Sequence, residues 1–117
     1  MQNHCLIFLE SPLVAQDLAL TMKDLLGCGP IIATSLGEAE AQVAALPNGA
    51  LIPCAFVHLS PSAFRPSRLH DMLRTHGAKV ILVGHAAELE ADAGDWPVLM
   101  QPFSSAQVAD LIGRIAV

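Results

Sequence analysis

The chain predicts a three-layer α/β domain, with a parallel sheet covered on both faces. Five short, nearly all-apolar runs alternate along it with five helix-patterned segments. Runs of that kind read as strands buried on both sides, and parallel strands need crossovers of about a dozen residues, which helices supply. The third run, Cys54-Ala55-Phe56-Val57-His58-Leu59, empties through Ser60-Pro61 into a loop, and His58 stands at its end. In an open α/β sheet, ligands and chemistry gather at the carboxyl ends of the central strands, so position 58 is the first place to look for function.

Taken in order, Cys5 to Leu9 is the first strand. Ser11 then caps a helix whose first position is Pro12, since proline has no amide hydrogen to leave unpaired there. Val14, Leu18, Met22 and Leu25 recur at helical spacing, and Gly27-Cys28-Gly29-Pro30 ends the helix. Pro30 to Thr34 is the second strand. Ser35-Leu36-Gly37-Glu38 has capping-box spacing, so a second helix starts near Gly37, turns Ala39, Val43 and Leu46 inward and stops at Pro47-Asn48-Gly49. After the strand at His58 and a loop rich in Ser and Pro, Pro66-Ser67 opens a third helix that buries Leu69, Met72 and Leu73 and ends at His76-Gly77. Lys79 to Val83 is the fourth strand, Gly84-His85 starts an alanine-rich helix to about Ala93, and Trp96 to Met100 is the fifth strand. Ser104-Ser105-Ala106-Gln107 repeats the capping-box spacing before a last helix that buries Val108, Leu111, Ile112 and Ile115.

Composition narrows the function. At 117 residues the chain is long enough to bury about two thirds of its unfolded surface as one domain without a metal or disulfide. It is 53% apolar but only 15% charged, against about 25% charged in an average domain, which favours a protein partner or a homodimer. A net charge of −5 with six Lys and Arg argues against nucleic acid, whose phosphates demand a basic footprint. The odd set Cys5, Cys28 and Cys54 matches no zinc or redox spacing and reads as buried reduced thiols. No positive region precedes the first apolar run and no run approaches the roughly 18 residues of a membrane span, so a soluble cytoplasmic protein is expected.

The residues that carry chemistry are few. Leu9-Glu10-Ser11-Pro12 after the first strand has no glycines with which to cradle a dinucleotide. His70, His76 and His85 lack a second ligand at metal spacing and read as surface or capping residues. Glu88, Glu90, Asp92 and Asp95 form an acidic run of the kind that faces solvent. Trp96 is the only tryptophan; with Leu89, Val98 and Phe103 it makes a candidate interface, with core packing as the alternative.

The order of elements, the runs Leu6-Ile7-Phe8-Leu9-Glu10-Ser11-Pro12-Leu13, Ala55-Phe56-Val57-His58-Leu59 and Val80-Ile81-Leu82-Val83-Gly84, and above all Gln101-Pro102-Phe103-Ser104 resemble the receiver domain of two-component response regulators over essentially residues 1–117. The resemblance implies a flavodoxin-like fold with strand order 2-1-3-4-5. It also implies phosphotransfer from a histidine kinase to an aspartate at the end of the third strand, aided by Mg²⁺, a hydroxyl residue and a lysine. Position by position, nearly all of those groups are missing, and of the acidic pair a single carboxylate remains. The acidic pair after the first strand falls on Leu9 and Glu10, the phosphoacceptor on His58, the switch hydroxyl on Gly84, the aromatic switch residue on Val98 and the lysine on Gln101.

Mg²⁺ asks for hard anionic oxygens in near-octahedral geometry, so one glutamate beside an imidazole predicts no metal site and no cofactor. An amide at Gln101 supplies a dipole where phosphoryl chemistry needs a cation. His58 is expected to be satisfied by Glu10 or a backbone carbonyl, and a Glu10–His58 pair would hold the pocket in one state without phosphate. The sequence thus points to a degenerate receiver that binds a histidine kinase, a phosphotransfer or effector protein, or a second copy, and that is not an enzyme. Two alternatives stand beside it: a small flavodoxin-like enzyme or ligand-binding module built on His58, Glu10 and Ser11, and a receiver phosphorylated at an atypical residue such as His58 or Ser60.

Overall fold

Strand pairing follows from burial on both faces. The computed structural model describes residues 3–47, 49–90, 96–100 and 103–115. It contains β1 (Asn3–Phe8), β2 (Gly29–Ala33), β3 (Leu51–Val57), β4 (Lys79–Val83) and β5 (Val98–Leu99) in one all-parallel sheet of order β2-β1-β3-β4-β5. Side chains alternate across a strand, so Cys5 and Ile7 enter one core layer while Leu6 and Phe8 enter the other. Helices α1 (Pro12–Leu26) and α6 (Ser105–Ile115) cover the first layer. Helices α2 (Leu36–Ala44), α3 (Pro61–Phe64), α4 (Arg68–Thr75) and α5 (His85–Leu89) cover the second. This is the three-layer α/β architecture that the strand and helix pattern implied, with the flavodoxin-like strand order that the resemblance implied.

The helix starts obey their local chemistry. Ser11 Oγ accepts from Val14 N at 3.4 Å with Pro12 in the first turn, and Ser67 Oγ accepts from His70 N at 3.2 Å. The box at α6 is reciprocal: Ser104 Oγ accepts from Gln107 N at 3.2 Å and Gln107 Oε1 accepts from Ser104 N at 2.7 Å. At α2, Ser35 Oγ accepts from Glu38 N, but Glu38 Oε1 reaches one residue further back, to Thr34 N at 2.8 Å. The edge strand β2 is also tied to α2. The Ala33 carbonyl points inward to Leu9 N, so that of Ile32 faces the free edge, where it accepts from Gln42 Nε2 at 2.8 Å.

Several boundaries differ from expectation. β3 begins at Leu51, three residues before the predicted Cys54, and contains Pro53; the β1–β3 register shifts between Asn3 and Cys5, leaving an irregular step in which a residue without an amide hydrogen can sit. Pro61–Phe64 is a helical turn where the sequence predicts loop, capped by Ser60. α5 stops at Leu89 with Glu90 as its cap, short of the predicted Ala93, and β5 is two residues long. The buried face of α1 is Ala15, Leu18, Ala19 and Met22. Leu25, expected inside, is 41% exposed; the two alanines let the helix lie close to the sheet on a stripe rotated from the one drawn through its larger residues. Leu46, Met72 and Leu111 are only partly buried, and the side chain of Ile115 lies outside the described residues.

Cys5 and Cys54 are register partners on β1 and β3, and all three cysteines are buried and free. The hydrogen bond with Cys54, and then burial, push the Cys5 thiol far above its ordinary value of 9.0. Burial, and then the nearby Cys5, raise Cys28. No described helix is long and apolar enough to cross a membrane.

The thiols yield a measurable pH dependence. Unfolding releases Cys5 into water, where it ionises above about pH 8.5, while the folded thiol keeps its proton. Stability from this group is therefore complete below that pH and is lost as pH rises above it. Urea midpoints are expected to fall between about pH 8 and about pH 10, less steeply in Cys5→Ala. A thiol-specific colorimetric reagent should find no reactive cysteine until denaturant is added; prompt reaction of the native protein contradicts the burial.

Candidate functional site at the carboxyl edge of the sheet

All five strands run the same way, so their carboxyl ends share one edge, and the backbone extends the central pairing just past the strands. His58 N donates to the Phe8 carbonyl at 2.9 Å, and Leu9 N donates to the Ala33 carbonyl at 3.2 Å. The first bond sets the residues that follow β1 and β3 side by side, and the second ties the end of β1 to β2. His58 Nε2 lies 3.3 Å from Glu10 Oε2, with the imidazole 31% and the carboxylate 83% exposed. The Phe8 ring meets the His58 ring edge-on at 6.5 Å between centroids. Leu9, Glu10, Ser11, Val14 and His58 line a cleft of about 230 Å³. Gly84, at the end of β4, is buried against the His58 ring with φ +112°.

Electrostatically this cleft is sparse. The His58–Glu10 pair, ionic only when the imidazole is protonated, is largely solvated on the glutamate side, which limits it to about 0–1 kcal/mol. Leu9 is buried in the layer under α1. The carboxylate of Glu10 is engaged by imidazole. Among the described residues no group of three or more His, Cys, Asp and Glu converges to hold a metal ion, and the donor set at the cleft does not fit Mg²⁺. Gln101, with Pro102, lies outside the described residues.

The hydroxyl residues nearby are occupied structurally. Ser60 is buried, and its Oγ accepts from Ala63 N at 3.2 Å as the cap of α3. It shares a hydrogen bond with Ser62 Oγ at 3.2 Å, and Ser62 Oγ donates to Glu90 Oε2 at 3.0 Å. This chain joins the segment after β3 to the end of α5. Sequence reasoning missed it, although Ser60-Pro61 repeats the Ser11-Pro12 signature that marked α1.

The four candidate interface residues do not share one face. Trp96 and Val98 pack against the layer under α2, α3 and α4, whereas Phe103 packs against the layer under α1 and α6. Trp96 meets the rings of Phe64 at 5.0 Å and His70 at 5.3 Å, and the Arg65 guanidinium lies 5.3 Å above it. Leu89 alone of the four is largely exposed, together with Leu13 and Leu20 on α1. The two α1 leucines went unnoticed because periodicity marks the face that is buried and is silent on the apolar content of the other.

No family model matches the chain, and no curated protein matches it. Among solved structures, the solution structure of SdrG from Sphingomonas melonis Fr1 covers 99% of this chain and 98% of its own at a TM-score of 0.69, with 20% of residues identical. The fold is that of a response-regulator receiver domain. In a receiver fold with this strand order, the ends of β1, β3 and β4 are the edge at which Glu10, His58 and Gly84 meet.

Two substitutions separate solvated from structural contacts here. Glu10→Gln is expected to change stability by less than about 1 kcal/mol. Ser60→Ala removes a buried cap and is expected to cost about 1 to 2 kcal/mol. Urea denaturation of both variants checks this, and a silent Ser60→Ala would refute the capping role.

Proposed function

We propose that this chain is a degenerate receiver domain that takes no phosphoryl group and acts by protein recognition in two-component or phosphorelay signalling. The observation that carries the proposal is an imidazole paired with Glu10 at the end of the third strand of a receiver fold. Acyl phosphate chemistry needs a carboxylate nucleophile there, and none stands at that position. Nε2 of His58 faces a carboxylate, which repels an incoming phosphoryl dianion, while Nδ1 faces Gly84. Among the described residues no lysine or arginine lines the cleft, so the charge that develops on a transferring phosphoryl group would go unmatched. Recognition in place of turnover follows, with neither metal nor cofactor required.

The low charged fraction and the exposed leucines on α1 and α5 suit a protein partner. A histidine kinase, a phosphotransfer or effector protein, or a second copy of the chain are the partners that the receiver fold suggests. A small-molecule enzyme is favoured less, because the cleft of about 230 Å³ is below the roughly 300–1,000 Å³ of ligand sites and pairs no nucleophile with a base.

Intact mass after incubation with acetyl phosphate and Mg²⁺, with light scattering on the same sample, tests the proposal. Unchanged mass is expected. A stoichiometric adduct of one phosphoryl group would overturn it and restore a phosphoswitch, with peptide mapping to distinguish His58 from Ser60. Light scattering then tells whether the partner to seek is a second copy.

A further inference from the structure

His58 and Gly84 approach more closely than any side chain at position 84 would allow. A Cβ placed on Gly84 would lie 2.7 Å from His58 Cε1, 2.8 Å from Nδ1 and 3.4 Å from Nε2. The first two are below the 3.0 Å that real Cβ contacts essentially never breach, and the atoms met belong to a ring held in place. Its Nε2 is engaged by Glu10, the ring packs edge-to-face with Phe8, and its backbone amide is bonded to the Phe8 carbonyl. Gly84 also has φ 112° and ψ 163°, a region essentially closed to residues with a Cβ. The same glycine caps α5 without a side-chain bond of its own.

We infer that His58 and Gly84 form one interlocked pair, in which the imidazole sits on the bare Cα of Gly84 and forms one wall of the cleft. Histidine at 58 and glycine at 84 are then a single structural event. The ring takes the volume that a side chain at 84 would fill, and its Nε2 lies 3.3 Å from Glu10. The loops after β1, β3 and β4 are thereby joined with no external ion or phosphate. Only the regulatory meaning of this latch, strand-end loops joined in advance of any signal, rests on the function proposed above; the contact itself does not.

A double-mutant cycle with Gly84→Ala and His58→Ala tests the pair. The backbone penalty of Gly84→Ala is common to both backgrounds and cancels, while the clash with the ring exists only when His58 is present. The loss of Tm caused by Gly84→Ala is expected to shrink by roughly half or more in the His58→Ala background. Failure of Gly84→Ala to fold, rescued by His58→Ala, is the same result in stronger form. Equal losses in both backgrounds would overturn the inference. Independently of any variant, the unaltered protein should show a nuclear Overhauser contact between His58 Hε1 and the Gly84 α-protons, and its absence overturns the pair outright. A phosphoryl adduct would refute the proposed function and leave this contact standing; a missing contact would refute the latch and leave the mass measurement untouched.

Discussion

The pairing of β1 with strands on both sides is the constraint on which the rest depends. Phe8 is in register with Ala33 of β2 and with Val57 of β3, and one further hydrogen bond on each side carries the pairing past the strand ends. That extension, not any strong polar attraction, sets Glu10 beside His58. A slip of one residue would turn Leu9 out of its core layer and Glu10 into it, exchanging an apolar side chain for a charge in the interior. The ion pair is therefore a result of register, and its modest strength is consistent with a position that the backbone already determines.

Much of the fold is legible in the residues because local chemistry and global burial agree. Ser11-Pro12, Ser35 with Glu38 and Ser104 with Gln107 each start a helix where their side-chain reach requires it. Disagreements arise where tertiary structure absorbs a local fault. Pro53 marks a strand boundary on local grounds, but the register shift lets β3 run through it. On α1, Leu25 gives way to Ala15 and Ala19 on the buried face, while Val14 stays half-buried at its margin.

The site was legible in part, for the same reason. His58 and Glu10 follow neighbouring strands in a parallel sheet, so their meeting can be read from element order. The meaning of Gly84 cannot, because a glycine reports nothing about what presses against it until φ and the surrounding atoms are known. Trp96 is a similar case. Its size suggests an interface anchor, yet Phe64, His70 and Arg65 surround it, and the cation over its ring contributes about 0.5 to 1 kcal/mol to holding the α3–α4 segment against the sheet.

The amide of Gln42 has a consequence for how the molecule behaves in company. β2 is an edge strand, and an edge offers free carbonyls and amides as a template on which another chain can add. Pro30 removes one donor from that edge, and Gln42 covers the outward carbonyl of Ile32. A strand arriving from a second molecule would have to displace this side chain before it could zip onto the sheet. In a chain rich in apolar residues, that side chain and Pro30 together make this edge a poorer template for a further strand.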